Sequence, residues 1–460
     1  MPTLPEPPGS SGSPGSPGSK AAAVTTGLVA FFAQLSILSI IAIVCMTIFV
    51  VGILLWGLLR AYKNRRDLAT PDNIKRIQIS QSHSLEKVWS DISQGKQGLG
   101  PVISTIPDDQ QLLINATVFS TRLTGYLGPY NSGVFDEDTA TRLALNSGSR
   151  CLVLEIDRLT DSYEPALIYR DGWGIKQSLN VGSISNVAKS IAGRAFTGST
   201  EGAPPNVAND PLIVVIYFVS TPDPVKTPQE YIRFMAKVAE QLQPINNLLL
   251  AQTPQGDFRR QRLESQLFFM NYKLFSRQII LMTNADTSPF RRLQALGLDG
   301  EIGSNQDLDL MTHVRLYSRE SPSGLGITSS STNNVKPAAV ITTPNYWINT
   351  PPDRLADAQS QTKSAWTLVM YPVSSDATSL TEANINKLTK EYGVQSIPTC
   401  LFETDDDSAV FIGKGAPYEK TSWTVKAELI RYIPPKPIIV QKPIPQTDSG
   451  GGAIVSPKFN

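Results

Sequence analysis

The segment CLVLEIDRL, residues 151–159, carries two acidic side chains, Glu155 and Asp157, at the end of an apolar run. The run predicts a buried β-strand, and side chains at positions i and i+2 of a strand lie on the same face. We therefore expect the two carboxylates to lie side by side. Buried carboxylates repel one another and lose their hydration, so such a pair requires a cation nearby. The chemistry of this segment depends on what supplies that cation.

Composition and charge exclude several functional classes. Of 460 residues, 41 are basic and 40 are acidic, so the total charge predicts no nucleic-acid partner. The cysteines Cys45, Cys151 and Cys400 have no CxxC spacing, which argues against a zinc site or a disulfide framework and favours reduced thiols. The chain is long enough to bury one large core or two medium ones.

The N-terminal region predicts a single-pass membrane anchor. Residues 1–26 are rich in Pro, Gly and Ser and are expected to be disordered, whereas residues 27–60 are expected to form a transmembrane helix, because residues 21–59 contain no charge. The apolar run is much longer than the roughly 7 to 15 residues of a signal-peptide core. Basic residues cluster directly after it, so the N-terminus is expected outside or in a lumen and the rest on the cytoplasmic side.

Residues 61–106 form a polar connector that contains one short amphipathic helix. Within HSLEKVWSDIS, residues 83–93, four apolar side chains recur at helical spacing: Leu85, Val88, Trp89 and Ile92. This face is expected to pack on the following domain. His83, one of the chain's two histidines with His313, is expected to be solvated rather than a ligand or a base. The sequence assigns no function to the connector.

Residues 107–435 alternate between short apolar runs and helix-like stretches. Runs such as PLIVVIYFVS and RQIILMTNA are typical of buried parallel strands, and SISNVAKSIAGRAF is typical of a helix. The alternation predicts an α/β fold, a (β/α)8 TIM-type barrel, with an open parallel sheet as the alternative. Residues 107–317 are expected to form the first half and residues 351–435 a second, weaker half.

Two segments interrupt this pattern. Residues 318–350 are rich in Ser, Thr, Asn and Pro, which predicts a flexible linker between the two halves. Residues 436–460 form a Pro- and Gly-rich tail, which is expected to be extended or disordered and to act as a strap on a neighbouring protein.

The order of these segments resembles the phosphoinositide-specific phospholipase C family. FSTRLTGYLG, ALNSGSRCLVLEID, PALIYRDG, a helix ending in AF, DPLIVVIYFVS and LFSRQIILMTN follow one another as in the X half of that family's barrel. LVMYPV, YGVQSIPTCLFETDD and FIGKG resemble a degenerate Y half. The resemblance covers residues 107–435 and implies a phospholipase-C-like barrel preceded by one transmembrane helix.

The resemblance implies that the acidic pair descends from a metal site. In the family, two histidines act as acid and base, and a calcium ion held by an Asn, two acids of an ELD strand and a further Glu offsets developing negative charge. Matching ELD to EID assigns two calcium ligands to Glu155 and Asp157. Between Cys151 and the acids this chain is two residues longer than the family pattern, and the other register assigns Val153 and Glu155, which loses one ligand.

The other positions of that site carry residues unsuited to this chemistry. The catalytic histidines align with Phe119 and Arg170, and the remaining calcium ligands align with Ser120 and Tyr217. A phenyl ring exchanges no proton, and a guanidinium stays charged at every relevant pH. The resemblance therefore implies a degenerate calcium site, no cofactor and no catalysis.

Arg170 could replace the calcium ion as the cation. It projects from the end of the next strand, where it either pairs with Glu155 or Asp157 or points into solvent. The sequence leaves both possibilities open.

These features predict a membrane-anchored pseudoenzyme with a structural or scaffolding role. Its barrel loops and its tail would contact neighbouring structural proteins, and its lipid partner would be the bilayer around residues 27–60. By analogy, one such setting is the inner membrane of a virion, where a minor capsid protein of a large DNA virus connects membrane and capsid.

Two alternatives remain open. A non-catalytic phosphoinositide or lipid-headgroup binding module would use Arg122, Arg158 and Arg170, although the family's phosphate-binding lysines align with Met282 and Asn284. An active phosphoric diester hydrolase with altered machinery would release inositol phosphate from phosphoinositide vesicles.

Overall fold

The computed structural model describes most of the chain after residue 36. The described residues are 37–89, 96–159, 164–171, 174–199, 201–253, 256–257, 264–319, 337–371, 381–402 and 409–435. The chain divides into two compact units, Met1–Thr70 and Pro71–Asn460.

The first unit contains one described helix, α1, Ile37–Leu68. Its described large apolar side chains, such as those of Met46, Phe49 and Leu59, are exposed, and the guanidinium of Arg60 lies 5.1 Å from the centre of the Trp56 ring. None of the helices in the described part of the chain qualifies as long and apolar enough to cross a membrane. Residues 1–26, and residues 27–36 of the expected anchor, lie outside the described residues.

The helices of the second unit carry buried apolar faces. Two of them begin at side-chain caps, where Asp136 accepts from the amide of Thr139 and Ser183 accepts from the amide of Asn186. The described helices are α2 Pro71–Trp89, α3 Leu99–Ile103, α4 Glu137–Asn146, α5 Ile184–Arg194, α6 Pro228–Gln241, α7 Leu308–Met311, α8 Pro344–Ile348, α9 Leu355–Ser364, α10 Glu382–Asn386 and α11 Ala409–Ile412.

The strands of the second unit are mostly short and apolar. They are β1 Ala116–Val118, β2 Ser120–Thr121, β3 Tyr126–Gly128, β4 Val134–Phe135, β5 Cys151–Arg158, β6 Pro165–Leu167, β7 Leu212–Phe218, β8 Gln252–Thr253, β9 Gly256–Asp257, β10 Ile279–Thr283, β11 Val314–Arg319, β12 Ala339–Thr342, β13 Trp366–Val369 and β14 Trp423–Val425. Seven of them pair in parallel in the order β13, β12, β11, β10, β7, β5, β2, and β6 adds to β5 in the antiparallel direction.

An extended segment, residues 395–399, joins the two edges of this sheet. On the β13 side, the amide of Val369 donates to the Ser396 carbonyl at 2.9 Å. On the β2 side, the amide of Thr399 donates to the Ser120 carbonyl at 3.1 Å. Both contacts are parallel bridges, so the segment takes the eighth position and the sheet curls into a TIM-like barrel. The overall architecture therefore confirms the predicted α/β barrel. The alternative, an open parallel sheet, is not what the structure shows.

The core has an inner cluster within the barrel and an outer cluster against the helices. In β5, Cys151 and Val153 belong to the inner cluster, whereas Leu152 and Leu154 belong to the outer one. This alternation is the period of two that a strand imposes on its side chains. Because both faces of the sheet are covered, its central strand β7 is apolar throughout.

The expected linker over residues 318–350 requires correction. The strand β11 ends at Arg319, and both β12 and α8 lie within that range. Residues 320–336 lie outside the described residues. The sequence failed to indicate β12 because it has only four residues and directly follows a long Ser-, Thr- and Asn-rich stretch. Its stability comes from parallel pairing with β11 and β13.

The connector contributes a helix that packs on the barrel domain. Helix α2 is longer than the short helix that the sequence predicts within residues 83–93. Its residues Leu85 and Trp89 are buried as expected, whereas Val88 is exposed. The Trp89 indole donates to the Leu401 carbonyl at 3.2 Å, and the Gln78 amide donates to the Phe135 carbonyl at 3.1 Å. Ile92 lies outside the described residues.

Candidate functional site

The acidic pair lies at the carboxyl ends of the barrel strands, which we call the barrel mouth. Glu155 and Asp157 continue the face of β5 that carries Cys151 and Val153, and both are buried. Active sites of TIM-type barrels are built at this end. The expectation that the two carboxylates share one face of a buried strand is confirmed.

Glu155 has its own cationic partner, Arg122, which directly follows β2. Arg122 Nε lies 2.7 Å from Glu155 Oε1, and only 6% and 8% of the two side chains are exposed. The guanidinium also donates to the Tyr371 carbonyl, and the Arg122 amide donates to the Thr399 carbonyl at 3.0 Å. Burial alone would lower the pKa of Arg122, but the charge and hydrogen bond of Glu155 raise that pKa above its ordinary value.

Asp157 has a second and separate cationic partner, Arg170. Arg170 Nε forms an ion pair with Asp157 Oδ2, and the Ser220 hydroxyl donates to Oδ1. The Arg158 amide donates to Oδ1 as well, at 2.8 Å. The Asp157 side chain is 2% exposed, whereas that of Arg170 is 26% exposed. Of the two positions that the sequence left open for Arg170, the structure shows the ion pair.

The residues at the mouth do not fit a calcium ion. Calcium takes six to eight oxygen ligands, and its ligands must be free of competing cations. The carboxylates of Glu155 and Asp157 instead accept from guanidinium groups, whose positive charge repels a metal cation. Among the described residues, no group of three or more His, Cys, Asp or Glu side chains could hold a metal.

Two residues assigned to the mouth from sequence have other positions. The Phe119 ring belongs to the outer cluster, 5.7 Å from the Tyr418 ring, so it does not face the acids. Ser120 lies inside the barrel, where its hydroxyl is 2.7 Å from that of Ser396. Arg122 occupies the mouth instead. The sequence could have indicated this position for Arg122, because Ser120 and Arg122 are two residues apart and therefore lie on the same face of the strand.

The residues at the other positions aligned with calcium or phosphate ligands of the family form part of the barrel wall. Tyr217 is buried in β7 directly beside Glu155 in the strand register. Met282 belongs to the inner cluster. Asn284 brackets the end of β7, since its amide group donates to the Phe218 carbonyl at 3.1 Å and accepts from the Phe218 amide at 2.7 Å.

Neither histidine faces the acidic pair. His313 is buried just before β11, at the opposite end of the strand from the mouth. Its Nδ1 accepts from the Leu281 amide at 2.9 Å, which leaves Nε2 to donate to the Leu250 carbonyl at 2.7 Å. His83 is exposed on α2. His313 is therefore a structural residue that completes backbone hydrogen bonds.

An aromatic cluster packs beside the ion pairs and joins three loops of the mouth. The Tyr126 ring lies 5.2 Å from that of Tyr169 and 5.1 Å from that of Phe402. Tyr130 contacts the same Phe402 ring at 4.9 Å. Such ring pairs add to the stability gained by burial. The loops after β2, β6 and the closing segment are thereby held together.

Comparison with solved structures identifies the fold. The crystal structure of PLC21 from L. pealei matches with a TM-score of 0.50 and 14% identity, covering 74% of this chain and 39% of that chain. The fold is phospholipase-C-like. PLC21 from S. officinalis gives 0.49 and 14%, with the same coverage of 74% and 39%. A calcium-dependent phosphoinositol-specific phospholipase C from Pseudomonas sp. gives 0.36 and 8%, covering 65% of this chain and 93% of that chain.

This likeness concerns the fold alone. The matched region amounts to about two fifths of the PLC21 chains, 39% of their length. No family model and no curated protein matches this chain. The activity of the phospholipase-C-like barrel therefore has to be argued from its own residues.

Proposed function

We propose that this chain is a catalytically inactive, phospholipase-C-like pseudoenzyme with a scaffolding role at a membrane surface. One observation carries the proposal: each acid of the barrel mouth is neutralised by its own arginine, Glu155 by Arg122 and Asp157 by Arg170. An ion-paired carboxylate is a poor proton acceptor, and a guanidinium cannot accept a proton at all near neutral pH. The arrangement favours a fixed structure over general acid–base or calcium chemistry.

The aromatic cluster supports the scaffolding half of this proposal. Loops tied together by Tyr126, Tyr169 and Phe402 present a defined surface at the mouth. A rigid surface binds a partner at lower entropic cost than a mobile one. In this proposal the barrel loops and the tail, residues 436–460, contact neighbouring structural proteins, as in a membrane-to-capsid connector of a virion.

The full-length chain is expected to release no inositol phosphate from phosphoinositide vesicles, with or without calcium. An active phospholipase C is the positive control. Turnover that disappears on Glu155→Gln or Asp157→Asn would sink the pseudoenzyme proposal. Cross-linking and mass spectrometry on the native membrane or particle test the scaffold directly, and reproducible links from the barrel loops to a few specific proteins are the expected result.

We also propose attachment to a bilayer through residues 27–60, with the barrel on the cytoplasmic side. The uncharged run supports this, together with the exposed apolar side chains of α1. The full chain is expected to stay in the membrane pellet after alkaline carbonate extraction, and Ile48→Asp combined with Leu55→Asp should release it. The matched control is Ile48→Leu with Leu55→Ile. Recovery of the unsubstituted chain in the supernatant would contradict attachment.

A lipid-headgroup module is the second candidate. Loops on both sides of Asp157 expose the apolar residues Ile175 and Val225 and the charged Lys226, a combination suited to a lipid surface. This candidate predicts that the vesicles of the turnover assay capture the second unit, Pro71–Asn460, which lacks the proposed anchor, only when they contain phosphoinositide. Equal capture by vesicles without phosphoinositide removes it.

A further inference from the structure

A strap formed by the last described part of the chain closes the amino end of the barrel. We define the C-terminal strap as Tyr418–Tyr432. Its strand β14 pairs antiparallel with β1 over three residues. The amide of Ser422 donates to the Gln97 carbonyl at 3.0 Å, and the amide of Lys426 donates to the Asn115 carbonyl at 3.0 Å. The strap is therefore part of the folded barrel, and residues 436–460 follow it closely in the chain.

Two lysine side chains are buried where the strap meets the barrel. Lys96 is 1% exposed, and its Nζ donates to the Tyr418 carbonyl at 2.9 Å and lies 5.0 Å from the centre of the Phe119 ring. Lys426 is 3% exposed, and its Nζ donates to the Thr362 carbonyl at 2.7 Å. No carboxylate of the described residues forms an ion pair with either amine within 4.0 Å.

Burial without an acidic partner disfavours the charged form of both amines. Burial lowers the pKa of Lys96 to about 7. Burial, and next the positive charge of Lys363, lowers the pKa of Lys426 well below its ordinary value. Closing the strap around these amines therefore favours their neutral form.

We propose that the C-terminal strap is a proton-sensitive latch, closed while Lys96 and Lys426 are neutral and opened when they take up protons. In the open strap both amines are hydrated, so an ammonium form that is costly in the closed state becomes favourable. Proton uptake would thus control whether the strap covers this end of the barrel.

The direction of the pH effect follows from linkage. The pKa of Lys96 is about 7 in the closed strap and 10.5 in the hydrated amine, so between these values the open state holds more protons. Lowering the pH through that window favours opening, and below about pH 7 Lys96 adds nothing further. Lys426 acts in the same direction, because its pKa in the closed strap is lowered as well.

Two further titratable groups near the strap, Asp210 and Tyr418, act outside this window. Asp210 accepts from the Leu99 amide at 2.8 Å, and burial raises the pKa of its carboxyl to about 6, so its effect lies below the window. Burial raises the pKa of the Tyr418 phenol to about 12, above it. Lys363 is a charged neighbour of Lys426, and its positive charge disfavours protonation of that amine.

Hydrogen exchange of the full chain between about pH 7 and 9.5 tests the latch. Protection factors, which divide out the intrinsic pH dependence of exchange, are followed at the amides of Ser422 and Lys426. We expect protection to rise with pH by up to about tenfold per unit for each amine. The amide of Ile213, which donates to the Arg150 carbonyl inside the barrel sheet, is the internal reference and should show no such rise.

Variants connect the pH slope to the two amines. Lys96→Met with Lys426→Met should abolish the rise, and each single change should reduce it. Lys420→Met, which replaces an exposed lysine of the same strap, is the matched control that should keep it. A flat profile in the unsubstituted chain overturns the proposal, and so does a slope that persists in the double variant. If the double variant does not fold, the pH dependence of protection in the unsubstituted chain and in the two single variants decides whether the proposal holds.

Discussion

Arg122→Met is expected to lower the free energy of unfolding by about 3–5 kcal/mol, the largest single effect in the barrel mouth. The change leaves the Glu155 carboxylate buried without a counter-ion, and it removes the donor to the Tyr371 carbonyl. Both groups are shielded from water, so solvent compensates little for either loss. Urea unfolding of the full chain, followed by tryptophan fluorescence, measures the difference.

Neutralising the acid should recover much of this loss. In Arg122→Met combined with Glu155→Gln no buried charge is left alone, so the double variant should be clearly more stable than the sum of the two single effects indicates. Arg233→Met is the matched surface control. Its partner Glu301 and Arg233 itself are each 47% exposed, and we expect a much smaller loss of stability there than at Arg122. A loss at Arg122 no larger than at Arg233 would contradict the buried-pair interpretation.

Arg170→Met is expected to lower the free energy of unfolding by about 1–3 kcal/mol, less than the change at Arg122. Asp157 keeps the Ser220 hydroxyl and the Arg158 amide as donors, which partly compensates the lost guanidinium. The Arg170 side chain is also 26% exposed, so its interaction is partly screened by water. The same urea titration measures this change.

The test of pairing at this site is a double-mutant cycle with Asp157→Asn. If Arg170 stabilises the domain through Asp157, the loss caused by Arg170→Met should shrink once the acid is an amide. Glu155→Gln is the control, because Glu155 pairs with Arg122 and should leave the effect of Arg170→Met unchanged. Additive losses in the Asp157 cycle would show that the two side chains are not coupled.

The sequence alone could predict the barrel and the acidic face. Apolar runs such as that of β7 alternate with helical stretches, which favours a parallel sheet covered on both sides. The spacing of Glu155 and Asp157 places them on one face of β5, because the period of a strand is a local geometric property. The sequence could also suggest Arg170 as a cationic partner of these acids, because Arg170 follows the next strand and is therefore expected near the end of β5.

Only the tertiary structure decided how those charges are matched. It assigned Arg122 to Glu155 and Arg170 to Asp157, and it turned Phe119 away from the mouth. Strand register decides such pairings, and a shift of one residue moves a side chain to the opposite face.

Closure of the barrel was likewise decided by long-range contacts. Residues 395–399 have no strand pattern of their own, yet they bridge the first and last strands of the sheet. The strand β12 is held by neighbours on both sides rather than by its own propensity. Periodicity and composition are local properties and could be read from the chain. Register, ring closure and the choice of charge partner depend on contacts between residues far apart in sequence, and these exist only in the folded protein.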